Sequence, residues 1–283
     1  MAATITLSLV ASAARGQATD PVTTDPAPRD TLFPATFAEL ALTSGGARLN
    51  AFMLVAQGAG PHPLVVLLHG YPGNERNLDV AQALRRAGTN VLYLDYRGSW
   101  GSGGTFSFAN AQADVAATLR WARQADTARA YRFDPRRVAL VGHSMGGWLA
   151  LLGAATDPSV ACVGAIEFAD MAQEGADTSF VSYTKWLTTP GAPLKGDWRA
   201  MTASLRAHAD WKLAPNASKI ATRPVLLLDN DENPYHGDFA SALRAAGAKR
   251  LTEMVWQTDH SFDDMRVALT RAVVSWTKSG CGF

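Results

Sequence analysis

The sequence predicts one α/β domain built on a mostly parallel sheet with helices on both faces. Apolar runs at 64–68, 91–94 and 138–141 have the composition of buried strands, and they alternate with segments 78–86 and 111–124. In those two segments apolar residues recur every three or four positions, which is typical of amphipathic helices. Strands that alternate with helices pair in parallel through right-handed crossovers. A chain of 283 residues suits a single large domain of this class.

The other regular elements flank this alternating core. Apolar and polar residues alternate from Phe37 to Val55 around Ser44-Gly45-Gly46, which predicts an antiparallel hairpin. Further elements are predicted downstream: strands over 161–168, 225–228 and 251–257, and an amphipathic helix over 265–277.

The composition favours a small-molecule partner. The formal net charge is +1, which gives no electrostatic argument for binding nucleic acid or an anionic membrane. No apolar run reaches the length of a membrane-spanning helix. Nothing in the sequence fixes the oligomeric state.

Residues 1–30 are predicted to be a signal-like or disordered leader, and residues 31–283 the folded domain. An apolar segment over 5–10 is followed by small residues over 11–14, as in a secretory signal, although the positive start region is missing. We therefore expect a secreted or periplasmic protein, with a cytoplasmic protein as the alternative. Cys162 and Cys281 leave this open, since they would pair only in an oxidising compartment.

The motif that carries the chemistry is Gly142-His143-Ser144-Met145-Gly146, which lies between an apolar strand and a helix-forming run. A serine on so sharp a turn is strained, and glycines two residues away leave space for the backbone to pack closely. This G-x-S-x-G pentapeptide in a strand–turn–helix context resembles the nucleophile elbow of α/β-hydrolase-fold serine hydrolases.

The resemblance implies a base and an oxyanion hole. The family's chain order is serine, acid, histidine, and His260 follows the last predicted strand, so it is the expected base. His143 is expected to pack rather than to react. His69-Gly70 is similar to the family's oxyanion motif, which implies an oxyanion hole formed by the N–H groups of Tyr71 and Met145.

The acid is the open question. Its usual place in the family falls on Asn233, which would stabilise an imidazolium poorly. The prediction is Asp231, with Glu232, Asp229 and Asp170 as alternatives.

Two further segments are similar to one branch of the fold, the prolyl-oligopeptidase-like peptidases and acetyl-xylan esterases. These are Asp95 to Ser102 and the helix that includes Asp114, and the likeness extends from Leu64 to the C-terminus. We expect this chain to lack the large N-terminal propeller of those peptidases, which favours an esterase over an oligopeptidase. Residues 170–218 lack clean periodicity and contain three tryptophans, and the resemblance implies a cap or lid there, after the sixth strand. The alternative is a surface excursion whose aromatic residues pack only against each other.

The resulting hypothesis is a carboxylic ester hydrolase that forms an acyl-enzyme on Ser144 and deacylates it with water activated by His260. No metal or organic cofactor is signalled, because the sequence has no dinucleotide fingerprint, P-loop or zinc spacing. Two alternatives stay open: a small serine exopeptidase or amidase, and an inactive member that acts as a binding protein. Only Asn233 in the acid position supports the inactive member.

Overall fold

Eight strands form one sheet in the order β1-β2-β4-β3-β5-β6-β7-β8. β2 is antiparallel to β1 and β4, and every other neighbouring pair is parallel. The computed structural model describes residues 19–26 and 29–283. The strands are β1 Thr36–Ser44, β2 Ala47–Val55, β3 His62–Leu68, β4 Asn90–Leu94, β5 Phe133–His143, β6 Cys162–Ile166, β7 Val225–Asn230 and β8 Leu251–Trp256.

Helices cover both faces, as the alternating pattern predicts. Side chains of α1 and α10 pack in one apolar cluster, and those of α2, α4, α8 and α9 in the other. The helices are α1 Leu78–Arg86, α2 Phe108–Ala122, α3 Ala125–Ala130, α4 Met145–Thr156, α5 Met171–Glu174, α6 Thr178–Leu187, α7 Trp198–Ala207, α8 Leu213–Ile220, α9 His236–Ala245 and α10 Arg266–Ser279, with a 3₁₀ turn at Ala209–Trp211.

The predicted fold class is confirmed. β3, β4, β6 and β7 are buried along their whole length, which explains their uninterrupted apolar sequences. α2 begins at its N-cap Ser107, whose hydroxyl accepts from the Asn110 N–H at 3.0 Å.

Most of segment 170–218 is helical, although its sequence lacks clean periodicity. The helices there have ten residues or fewer, too short for periodicity to stand out from the sequence. Asp177 and Asp197 mark two of their starts, since each carboxylate accepts a backbone N–H of the first turn.

The predicted leader is described only in part. The signal-like residues 5–14 lie outside the described residues. Arg86 donates to the carbonyls of Pro21 and Val22 at 2.6 and 3.0 Å, and Arg271 pairs with Asp20 at 2.7 Å. Residues 20–22 thus lie against α1 and α10.

Cys162, at the start of β6, forms a disulfide with Cys281, beyond the end of α10. The covalent link therefore joins the central sheet to the C-terminal tail. Within 19–26 and 29–283, no helix has the length and apolar character needed to cross a membrane.

Candidate active site

Ser144 lies between β5 and α4 in a backbone conformation that is rare for a residue with a side chain. Its φ is 56° and its ψ is −123°, and α4 begins at the next residue. Such a conformation persists only where the surroundings hold it. The Ser144 N–H donates to the carbonyl of Ile166 at 2.9 Å, so the turn is fixed to the end of β6.

The two glycines of the pentapeptide are required by close backbone approach. A Cβ on Gly142 would lie 2.0 Å from the Gly146 carbonyl oxygen, and a Cβ on Gly146 would lie 2.1 Å from that of Leu68. Any larger side chain would force the strand, the turn and the helix apart. The sequence motif therefore reflects the packing of this turn.

Ser144 and His260 line the same cavity, of about 160 Å³. Its walls come from the loop after β3, the loop after β8 and helix α6. The lining residues are Gly70, Tyr71, Pro72, Gly73, Asn74, Glu75, His143, Ser144, Tyr183, His260 and Ser261. A larger cavity of about 260 Å³ lies between α2 and α4, but neither Ser144 nor His260 lines it.

His260 is held through its backbone by His143. The Nε2–H of His143 donates to the His260 carbonyl at 2.8 Å, and the two ring centroids are 4.9 Å apart. Burial lowers the pKa of His143 to about 3, with a further contribution from nearby His260. His143 is thus neutral near pH 7 and anchors the loop that carries His260.

The carboxylate that contacts His260 belongs to Glu167, immediately after β6. Glu167 Oε1 lies 3.6 Å from His260 Nδ1, and Glu167 Oε2 accepts from the Asn230 N–H at 2.6 Å. The Glu167 side chain is 6 % exposed, whereas that of His260 is 56 % exposed. A buried carboxylate therefore lies beside one nitrogen of an accessible imidazole.

The carboxylates considered from the sequence lie elsewhere. Asp231 and Glu232 are exposed in the turn after β7, where the Asp231 N–H donates to Trp256 O at 3.0 Å. Asp170 accepts from Leu213 N–H at 3.1 Å. Asp229 is fully buried and pairs with His236 Nδ1 at 2.6 Å.

Asn233, in the family's usual acid position, does not contact His260 through its amide. Its Nδ2 donates to the Phe168 carbonyl and to Asp229 Oδ1. The sequence reasoning passed over Glu167 because it extended the β6 strand to Phe168, whereas β6 ends at Ile166. A lone carboxylate at the end of an apolar strand is the signal that could have identified it.

Tyr71 and Met145, the residues predicted to form an oxyanion hole, lie in the loop after β3 and at the first residue of α4, which directly follows Ser144. Among the described residues, neither backbone N–H has a hydrogen-bond acceptor. A Cβ on Gly70 would lie 3.0 Å from Ser144 Cβ, so this loop passes directly beside the serine.

His69, at the start of that loop, is buried and binds the loop's backbone. Its Nδ1–H donates to Gly70 O at 2.8 Å, and burial lowers the pKa of His69 to about 4. Asp95 Oδ1 lies 3.8 Å from both His69 Nε2 and Arg76, and burial raises the pKa of Asp95 to about 6. The neutral imidazole of His69 therefore helps to fix the conformation of the loop through its hydrogen bond to Gly70.

Comparison with known proteins agrees with this architecture. Residues 65–272 match the model of the alpha/beta hydrolase family. An uncharacterized protein of Mycobacterium tuberculosis is 32% identical over 136 residues, which cover 47% of this chain and 46% of that protein. An uncharacterized 31.7 kDa Escherichia coli protein from the traX-finO intergenic region is 34% identical over 122 residues, 41% of each chain. The matched segments thus span about half the length of these relatives or less.

Solved structures share the fold at low identity. Est1E from Butyrivibrio proteoclasticus, bound to ferulic acid, superimposes with a TM-score of 0.66 at 19% identity, covering 86% of this chain and 100% of that one. A thermostable carboxyl esterase from Bacillus coagulans gives a TM-score of 0.66 at 16% identity, covering 87% and 99%. A 2,6-dihydroxy-pseudo-oxynicotine hydrolase gives 0.65 at 19% identity, covering 88% and 68%.

The family match covers most of the described domain, including the strands that precede Ser144 and Glu167 and the loop that carries His260. The chain belongs to the alpha/beta hydrolase family.

Proposed function

We propose that this protein hydrolyses carboxylic esters of short acids through an acyl-enzyme on Ser144. The observation that carries the proposal is one cavity lined by a strained serine and by an imidazole whose Nδ1 faces a buried carboxylate. Serine is a weak nucleophile at neutral pH and needs such a base.

In the proposed reaction, His260 and Glu167 have distinct roles. Glu167 lies beside Nδ1, so it orients the ring and stabilises the imidazolium, and Nε2 is left to accept the Ser144 proton. The Ser144 oxygen bonds to the ester carbonyl carbon, and His260 then protonates the departing alkoxide. Water, deprotonated by His260, releases the acid and restores the serine.

In the proposed reaction, negative charge develops on the carbonyl oxygen. The backbone N–H groups of Tyr71 and Met145 stabilise this charge by donating hydrogen bonds to the oxygen. Met145 opens α4, so the positive end of the helix dipole adds to its N–H. Removing one oxyanion donor typically lowers kcat by about a hundred- to a thousandfold.

The size of the cavity supports a small acyl group. Its volume, about 160 Å³, is close to that of an engineered cavity of roughly 150 Å³ that binds benzene. Tyr183 on α6 lines it and stacks on Trp186 at 5.9 Å, and Trp186 is 61 % exposed. In this proposal α6 acts as part of a cap, and this aromatic pair contacts the alcohol portion at the mouth of the cavity.

The disulfide between Cys162 and Cys281 favours the expectation of export, because such bonds form and persist in oxidising compartments. A secreted or periplasmic location stays a prediction.

The deciding experiment measures hydrolysis of p-nitrophenyl acetate, butyrate, octanoate and palmitate by the wild type and by Ser144→Ala and His260→Ala. We expect turnover of the two short esters, a decline in kcat/KM of at least about tenfold from butyrate to octanoate, and loss of turnover in both variants. Circular dichroism would establish that the variants are folded. Wild-type rates in Ser144→Ala would overturn the proposal, and turnover of aminoacyl anilides but not esters would replace it with an exopeptidase.

A further inference from the structure

Glu167 has a backbone conformation that its neighbours must maintain. Its φ is 46°, in the left-handed region, which is unfavourable for a residue with a side chain. Its N–H donates to Leu228 O at 2.8 Å, and its carboxylate accepts from Asn230 N–H at 2.6 Å. Two hydrogen bonds from β7 therefore hold the residue itself.

The next peptide is held by a second set of contacts from the same side. Phe168 N–H donates to Asp229 Oδ1 at 3.2 Å, and Phe168 O accepts from Asn233 Nδ2 at 3.1 Å. Asn233 Nδ2 also donates to Asp229 Oδ1 at 2.9 Å. Asp229 and Asn233 thus bind both polar backbone groups of the residue that follows Glu167.

His236, at the start of α9, completes this arrangement. Its Nδ1 donates to Asp229 Oδ2 at 2.6 Å, and its Nε2 lies 3.5 Å from Glu253 on β8. The hydrogen bond to Asp229 raises the pKa of His236, while Arg244 pairs with Glu253. Burial, with a smaller contribution from the nearby Glu167, raises the pKa of Asp229 to about 6, although the hydrogen bond with His236 lowers it. His236 thus favours the ionised form of Asp229 beside Glu167.

We propose that Asp229, Asn233 and His236 form a positioning unit that fixes the Glu167 carboxylate toward His260. This inference rests on the proposed function, in which Glu167 orients His260. The unit does not touch substrate or Ser144 in the proposed reaction. It acts by holding the Phe168 peptide, and through it the strained turn at Glu167. Loss of the unit should thus reduce the fraction of molecules with a correctly oriented imidazole.

The test compares two substitutions of similar size and polarity. In His236→Asn the side-chain NH₂ takes the place of Nδ1 and can still donate to Asp229, whereas in His236→Gln the donor moves toward the position of Nε2 and Glu253. We expect His236→Gln to lower kcat for p-nitrophenyl acetate about 10- to 100-fold at nearly unchanged KM, and His236→Asn to stay within about threefold of the wild type. Arg244→Gln removes a neighbouring charge without touching Asp229, so it is the control, and its kcat should be unchanged.

Amide hydrogen exchange gives a readout that does not depend on turnover. We expect the Phe168 amide to exchange faster in His236→Gln than in His236→Asn, while the Val66 amide in β3 is unchanged in both. A kcat and a Phe168 exchange rate like those of the wild type in His236→Gln would overturn the positioning unit, as would equal losses in both variants. If the wild type hydrolyses no ester, the proposed function fails, and the exchange rates alone still decide whether the unit holds Phe168.

Discussion

The carboxyl ends of β6 and β7 are neighbours in the sheet, and each carries a buried carboxylate with a histidine beside it. Glu167, after β6, lies 3.6 Å from His260, which faces the cavity with Ser144. Asp229, within β7, lies 2.6 Å from His236, which does not line that cavity. Two similar pairs therefore stand at one edge of the sheet, and only the β6 pair lies beside Ser144.

The two carboxylates use their oxygens in a similar way. Asp229 accepts from Phe168 N–H and Asn233 Nδ2 through Oδ1 and from His236 through Oδ2. Glu167 uses Oε2 for Asn230 N–H, while Oε1 faces His260. What distinguishes them is the imidazole: His260 lines the cavity with Ser144, whereas His236 does not, so only Glu167 is placed to orient a base beside the serine.

The largest expected effect tests that assignment directly. We expect Glu167→Gln to lower kcat about 10³- to 10⁴-fold with little change in KM, because the imidazolium loses its compensating charge. The amide oxygen can still accept from Asn230 N–H, so the fold should persist. The measurement is steady-state hydrolysis of p-nitrophenyl acetate, with Glu232→Gln as the control for removal of a nearby exposed carboxylate. A Glu167→Gln enzyme within threefold of the wild type would place the acid elsewhere.

Ser144 and His260 could be predicted from the sequence, but the acid could not. The turn at Ser144 is local, since a strand, two glycines and a helix follow one another, and the position of His260 follows from chain order. Which residue is the acid depends on which of two adjacent strand ends faces His260. That choice depends on β6 ending at Ile166, two residues before the predicted end. Strand ends are set by pairing with residues distant in the sequence, so a local pattern of residues does not predict them.

A second variant tests whether a carboxylate at position 233, after β7, can take the role of Glu167 toward His260. In Asn233→Asp a carboxylate would replace the amide that donates to Asp229 at 2.9 Å, which places two negative charges together. We expect a loss of about 1–3 kcal/mol in the free energy of unfolding, measured in urea at pH 7.5. We also expect the double variant Glu167→Gln/Asn233→Asp to be no more active than Glu167→Gln. Recovery of turnover in the double variant would show that position 233 can reach His260.

The pair at β7 should also make stability depend on pH. Hydrogen bonding to Asp229 raises the pKa of His236 above its ordinary 6.5. The folded state therefore holds this proton more tightly than the unfolded chain does. The stabilisation is present below pH 6.5 and is lost as the pH rises through the raised pKa. We expect the stability difference between the wild type and His236→Asn to be larger at pH 6.5 than at pH 9, measured by urea unfolding. A difference that stays constant or grows toward pH 9 would contradict a charged pair.

The smallest expected effect concerns Asp231, the acid predicted from the sequence. It lies one residue beyond β7, its side chain is exposed, and its N–H completes the pairing of β7 with β8 through Trp256 O. Because Asp231→Asn changes neither the backbone bond nor a buried charge, we expect kcat and KM within about twofold of the wild type and a stability change within about 0.5 kcal/mol. Asp170→Asn is the companion measurement, since Asp170 Oδ2 accepts from Leu213 N–H at the start of α8 and its loss should affect stability more than turnover. A tenfold loss of kcat in Asp231→Asn at wild-type stability would mean that the turn after β7 moves toward His260 during catalysis. The end of β7, and not that of β6, would then supply the acid.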